Sequence, residues 1–189
     1  AGFPHLRKAH CMFGWDWGAH LPDAGIFRPV SLIGVTKARI DSVYIRQEHR
    51  DTDVTLHVQV LRNTGEIGAA GEDAAEEEFG YDVEIMSPDG ILLRYPDSPS
   101  EIRIASPKLW WPNGYGEQPL YTVKVTLYAD GEPADVWERR IGLRTMAMRI
   151  EKDEWGESFA HEINGVAVFA MGADYIPEDH LLGRVTPET

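Results

Sequence analysis

The chain has 189 residues and a formal net charge of −13, with 43% hydrophobic and 26% charged residues, a length that suits one domain, or one domain with pieces of its neighbours. The acidic balance argues against nucleic acid and anionic membrane as partners, since both repel a chain of this sign, and no apolar run reaches the length of a membrane span. A single cysteine, Cys11, excludes an internal disulfide framework and fits a reducing compartment such as the cytoplasm.

The opening AGFPHLRKAH is no signal peptide, because Arg7 and Lys8 interrupt any apolar stretch. It enters in mid-pattern without an initiator Met, and LLGRVTPET stops without a capping element, so the expectation is an excised piece. CMFGWDWGAH (11–20) follows, with Phe13, Trp15 and Trp17 around one carboxylate, Asp16, and glycines at Gly14 and Gly18. Alternation admits a strand with the rings on one face. It equally admits a wall built to hold a ligand.

From residue 39 onward two-residue alternation dominates. RIDSVYIRQ (39–47) leads, and Val54, Leu56, Val58 and Val60 then alternate with polar residues as a half-buried strand should. Tyr81, Val83 and Ile85 repeat the pattern, and Ser87 to Gly90 (SPDG) reads as a turn before ILLRY. Ile102 and Ile104 mark another strand, and Tyr121, Val123, Val125 and Leu127 a long one. Asp130-Gly131 turns the chain into ADVWERRIGLRT. About seven strands with frequent turn signals predict an all-β fold, an immunoglobulin-like sandwich. With no cysteine pair between its sheets, packing alone holds it.

Two interruptions break this pattern. NTGEIGAAGEDAAEEEFG (63–80) has little to bury and reads as a solvated loop, and it lacks the ligand spacing of a calcium site. SPKLWWPNGYGEQPLY (106–121) sets Trp110, Trp111, Tyr115 and Tyr121 around a Pro-Asn-Gly turn. A sandwich corner held by buried rings is preferred there over a sugar-stacking surface. Beyond Thr145 the character changes. Asn164-Gly165 predicts a tight hairpin, and VAVFAMGA runs apolar on both faces, as in a strand of a parallel sheet or barrel.

Chemistry-bearing patterns are sparse. His5, His10, Cys11 and His20 match no standard zinc spacing, and only one thiolate is available. There is no nucleophile elbow and no phosphate-cradling glycine loop. The 31 acidic residues mostly occupy outward positions or the acidic loop, and none forms a convincing pair for glycoside hydrolysis. The expectation is a chain with no catalytic residue, metal or cofactor of its own.

RKAHCMFGWDWGAHLPDAGIFRPVSL, WWPNGYGEQPLY, RRIGLRT and INGVAVFAMGADYIPED, in this order, resemble the β-mannosidases of glycoside hydrolase family 2. The resemblance implies a jelly-roll domain, then the sandwich, then a catalytic (β/α)8 barrel. On that plan residues 1–36 are the end of the jelly roll, with GIFRPVSLI as its closing strand. Residues 37–145 are the immunoglobulin-like sandwich, and 146–189 are a hairpin with the first barrel strand. It implies a retaining exo-enzyme that removes terminal β-linked mannose. The catalytic glutamates would sit on later barrel strands, so this chain alone would be inactive. The implied partners are a β-mannoside oligosaccharide and the barrel of the same polypeptide.

Only Trp15 and Asp16 carry over as substrate-binding residues, the Asp accepting hydrogen bonds from hydroxyls of the terminal sugar. An ionised carboxylate suits that task as an acceptor-only group, and an indole supplies a flat apolar wall. Ala19, His10 and Asp174-Tyr175 depart from the family's usual residues and leave Trp15 and Asp16 untouched. The competing readings are a free-standing carbohydrate-binding module and another exo-glycosidase of the same family. FGWDWG argues against the second.

Overall fold

The alternation of apolar and polar residues is satisfied by seven strands in two facing sheets. The computed structural model describes residues 5–7, 10–16, 18–21, 24–26, 28–64, 78–176, 178–179 and 181–188. The strands are β1 (Arg39–His49), β2 (Asp53–Asn63), β3 (Phe79–Met86), β4 (Leu92–Tyr95), β5 (Glu101–Ala105), β6 (Tyr121–Ala129) and β7 (Glu132–Ile141). One sheet has the order β1-β2-β5 and the other β4-β3-β6-β7, with every pair antiparallel. This is the sandwich expected from the sequence. The expected acidic loop falls largely on residues 65–77, outside the described residues.

Side chains on one face of each strand make the core. Val54, Leu56 and Val58 of β2 and Ile102 and Ile104 of β5 share a single cluster with Val83 and Ile85 of β3 and Val123 and Val125 of β6. Each fully buried aliphatic chain contributes roughly 1.5–3 kcal/mol relative to exposure. On β2 the outward-facing Thr55 and His57 are only half-buried and Gln59 is exposed. A buried carboxylate, Asp53, sits at the start of β2 and accepts from Arg103 Nε at 2.6 Å.

Tyr121 stands at the start of β6 and is buried in the same cluster. Its hydroxyl accepts a hydrogen bond from the Lys108 backbone N–H at 2.9 Å, pinning the long β5–β6 connection to the core. Tyr121→Phe leaves that amide without its partner, and a loss of about 1–3 kcal/mol is expected. Urea unfolding followed by fluorescence checks this: the midpoint falls and the slope stays constant.

Tight turns close two hairpins. Asp130 and Gly131 between β6 and β7 have φ of 51° and 79°, and Asn164 and Gly165 have 50° and 78°. Positive φ at both central residues is what a type I′ hairpin turn demands, and Asn-Gly and Asp-Gly supply it at low steric cost. The second turn joins β9 (Ala160–Ile163) to β10 (Val166–Val168), and β8 (Met146–Arg149) completes a small sheet of order β10-β9-β8.

Residues 34–170, holding the sandwich and this small sheet, form one compact unit; residues 1–33 and 171–189 form another. In the second unit the regular elements among the described residues are two short 3-10 turns, His10–Phe13 and Leu182–Arg184. The described residues of GIFRPVSLI lie outside the strands, with Ile26, Val30 and Leu32 exposed. One expectation is corrected. VAVFAMGA is not buried on both faces, because only Val166–Val168 pairs, while Phe169 and Met171 face solvent at 78% and 81% exposure. A strand acquires its burial from neighbours, and beyond Val168 the described residues supply no ladder partner.

Candidate functional site

The FGWDWG stretch folds as a turn, which removes the reading of a strand with aromatic rings on one face. After the 3-10 turn His10–Phe13, Trp15 and Gly18 exchange backbone hydrogen bonds of 3.5 and 3.3 Å. Asp16 is therefore the first of two central residues in a tight turn, and Trp17 lies outside the described residues. Glycine is required just before the turn. Gly14 has φ 112°, and a Cβ there would overlap the His20 ring. Sequence reasoning treated His20 only as a metal candidate. Its packing role is signalled by a glycine six residues upstream, a spacing that no simple periodicity picks out.

The turn presents its chemistry outward. Trp15 is 58% exposed, and Asp16 is exposed beside it. Among the described residues no hydrogen bond or ion pair engages the Asp16 carboxylate. An uncovered indole next to an unengaged carboxylate offers an apolar face and up to four acceptor lone-pair sites at one point. A group of hydroxyls presented on a flat C–H face is the ligand chemistry such a pair accommodates. Met12, by contrast, is buried and anchors the segment that leads into the turn. Among the described residues no three His, Cys, Asp or Glu side chains converge to hold a metal ion.

The other aromatic stretch is structural. Pro112 O accepts from Tyr115 N at 3.0 Å, with Gly114 at φ 84°, so the Pro-Asn-Gly segment is a turn. The Trp110 ring lies against the Gly142 backbone, where a Cβ would come within 2.8 Å of it. The Arg144 guanidinium stacks over the same ring at 4.7 Å. That half-buried indole is thus packed against the chain itself.

A shallow hollow of about 280 Å³ opens on the outer face of β1-β2-β5, lined by Tyr44, Arg46, His57, Gln59, Ser100 and Glu101, among others. Two carboxylates flank its histidine. His57 lies 3.2 Å from Glu48 and 3.4 Å from Glu101. Hydrogen bonds from Arg50 and then His57 hold the Glu48 carboxyl below its usual range.

Comparison with known proteins places these segments. The family model for glycosyl hydrolases family 2 matches residues 38–144, and a model described as glycosyl hydrolase 2 galactose-binding domain-like matches residues 1–28. Beta-mannosidase B of Emericella nidulans is 34% identical over 188 residues, covering 97% of this chain and 22% of that protein. The crystal structure of a beta-D-mannosidase from Dictyoglomus thermophilum superposes with a TM-score of 0.76 at 32% identity, covering 96% of this chain and 23% of that one. A beta-glucuronidase of Ruminococcus gnavus, at 16% identity and a TM-score of 0.51, shares the fold. The chain thus spans about a fifth of the curated relative it matches.

Proposed function

The chain belongs to glycosyl hydrolases family 2, and from that premise we propose that the whole protein is a retaining exo-β-mannosidase. It releases terminal β-linked mannose from the non-reducing ends of oligosaccharides. Within it, residues 1–36 close a jelly roll, 37–145 form the linking sandwich and 146–189 lead into a barrel. The observation that carries the reading is the exposed Trp15–Asp16 pair on its tight turn, in a chain aligned over 97% of its length with a beta-mannosidase B. Trp15 gives the sugar ring a wall, and Asp16 accepts from its hydroxyls. Retaining hydrolysis needs two carboxyl groups about 5–5.5 Å apart across the scissile bond, one as acid/base and one as nucleophile. Neither role is assigned to a residue of this chain, so the 189-residue segment is inactive by itself.

The test pairs the whole protein with the segment. The whole protein is expected to turn over an aryl β-mannoside with the β-anomer as first product, read by proton NMR, and the segment is expected to do nothing. Preference for a β-galactoside or β-glucuronide would move the protein to another branch of the family. Saturable mannose binding by the segment, with no hydrolysis by the whole protein, would make it a carbohydrate-binding module.

A further inference from the structure

Four residues between β7 and β8, Gly142 to Thr145, carry the chain out of the sandwich, and this connection is held from two sides. From β1, Gln47 Nε2 donates to Gly142 O at 3.1 Å while Gln47 Oε1 accepts from Arg144 N at 3.0 Å. The same Oε1 lies 2.9 Å from His49 Nε2, which fixes the amide's orientation. From the Trp-rich corner, Trp110 N donates to Leu143 O at 2.9 Å. Between these two clasps the Leu143 side chain is fully buried.

The hairpin is tied to the same corner through one side chain. Asn164 Nδ2 donates to Trp110 O at 3.0 Å, and Asn164 Oδ1 accepts from Thr145 N at 2.9 Å. Asn164 N also donates to Thr145 O at 3.3 Å. A second tie comes just past β10, where Phe169 N donates to Tyr115 Oη at 3.1 Å. The amide of Asn164 thus spans two segments 35 residues apart, the Trp110 corner and the Thr145 exit. An Asn-Gly turn explains the backbone at 164–165 but not this bridge, since a hairpin turn needs no contact from its side chain.

We propose that Asn164 is a positioning residue: its side chain transmits the orientation of the sandwich to the β9–β10 hairpin, and Tyr115 fixes the direction of the chain as it leaves at Phe169. The carboxamide is suited to the task because it donates and accepts at once, satisfying a carbonyl on one side and an N–H on the other. The role concerns how the hairpin is held and does not depend on the mannosidase reading.

Hydrogen exchange on the 189-residue chain, resolved by peptide, tests it. Asn164→Gly preserves the positive φ of the turn and deletes both side-chain bonds. It is expected to speed exchange in β8, β9 and β10 at least tenfold while leaving β2, β3 and β6 unchanged. Asn164→Asp keeps the acceptor for Thr145 N but removes the donor to Trp110 O, and is expected to fall between parent and Gly variant. Tyr115→Phe is expected to raise exchange at Phe169 alone. Unchanged hairpin protection in Asn164→Gly would overturn the proposal. So would a uniform rise across the sandwich, because Asn164 would then be supporting general stability.

Discussion

The Asp16→Ala form of the whole protein is expected to lose ~10²–10⁴-fold in kcat/KM on a β-mannoside, from two charge-assisted hydrogen bonds of about 1.5–3 kcal/mol each. The structure makes this substitution clean. Asp16 is exposed at a central position of a tight turn, and among the described residues no hydrogen bond or ion pair engages its carboxylate. The thermal midpoint should stay within the narrow range typical of surface changes. Asp16→Asn keeps the shape and one acceptor oxygen but loses the charge, so its rate should lie between those of parent and alanine forms. Parent-like turnover by Asp16→Ala would remove the residue from the site, and a fall in midpoint matching the fall in rate would make its role structural.

The sandwich was legible because its signal is local and repeated. Val54, Leu56 and Val58 face the core and Thr55, His57 and Gln59 face outward because period-two alternation and sheet geometry are the same fact. The turns at Asp130-Gly131 and Asn164-Gly165 were legible for an equally local reason, the positive φ that these residues tolerate. Local pattern misled where burial depends on distant neighbours. VAVFAMGA has strand composition throughout, but only Val166–Val168 finds a pairing partner, and composition does not provide one for the rest. At the candidate site, alternation in FGWDWG suggested a strand as readily as a wall. The turn follows from Gly14 and Gly18, whose roles appear only once His20 and the Trp15 backbone are in place. Gln47 and Asn164 gave no sign of their bridging, because a side-chain amide that joins segments 95 or 19 residues away leaves no periodic trace.

Leu143→Ala is expected to destabilise the fold by ~3–5 kcal/mol, the upper part of the range for a buried leucine. Leu143 lies outside every strand, in the RIGLRT segment, yet it is fully buried and belongs to the same cluster as Leu56 and Ile85. The cost of such a truncation depends on how far the surroundings can relax into the cavity. Here the backbone is held on both sides, by Gln47 at Gly142 and Arg144 and by Trp110 at Leu143 itself, and Leu109 pairs with it in parallel. The segment therefore has little freedom to move inward, and most of the vacated volume stays empty. No disulfide limits the unfolded chain or ties the sheets together, since Cys11 is the single cysteine. Urea unfolding of the 189-residue chain reads the loss, with Leu92→Ala, at a 40% exposed position of β4, as a control expected to cost far less. A loss of under 1 kcal/mol for Leu143→Ala would mean that the clasped segment does collapse, and that the two hydrogen-bonded sides do not hold it rigid.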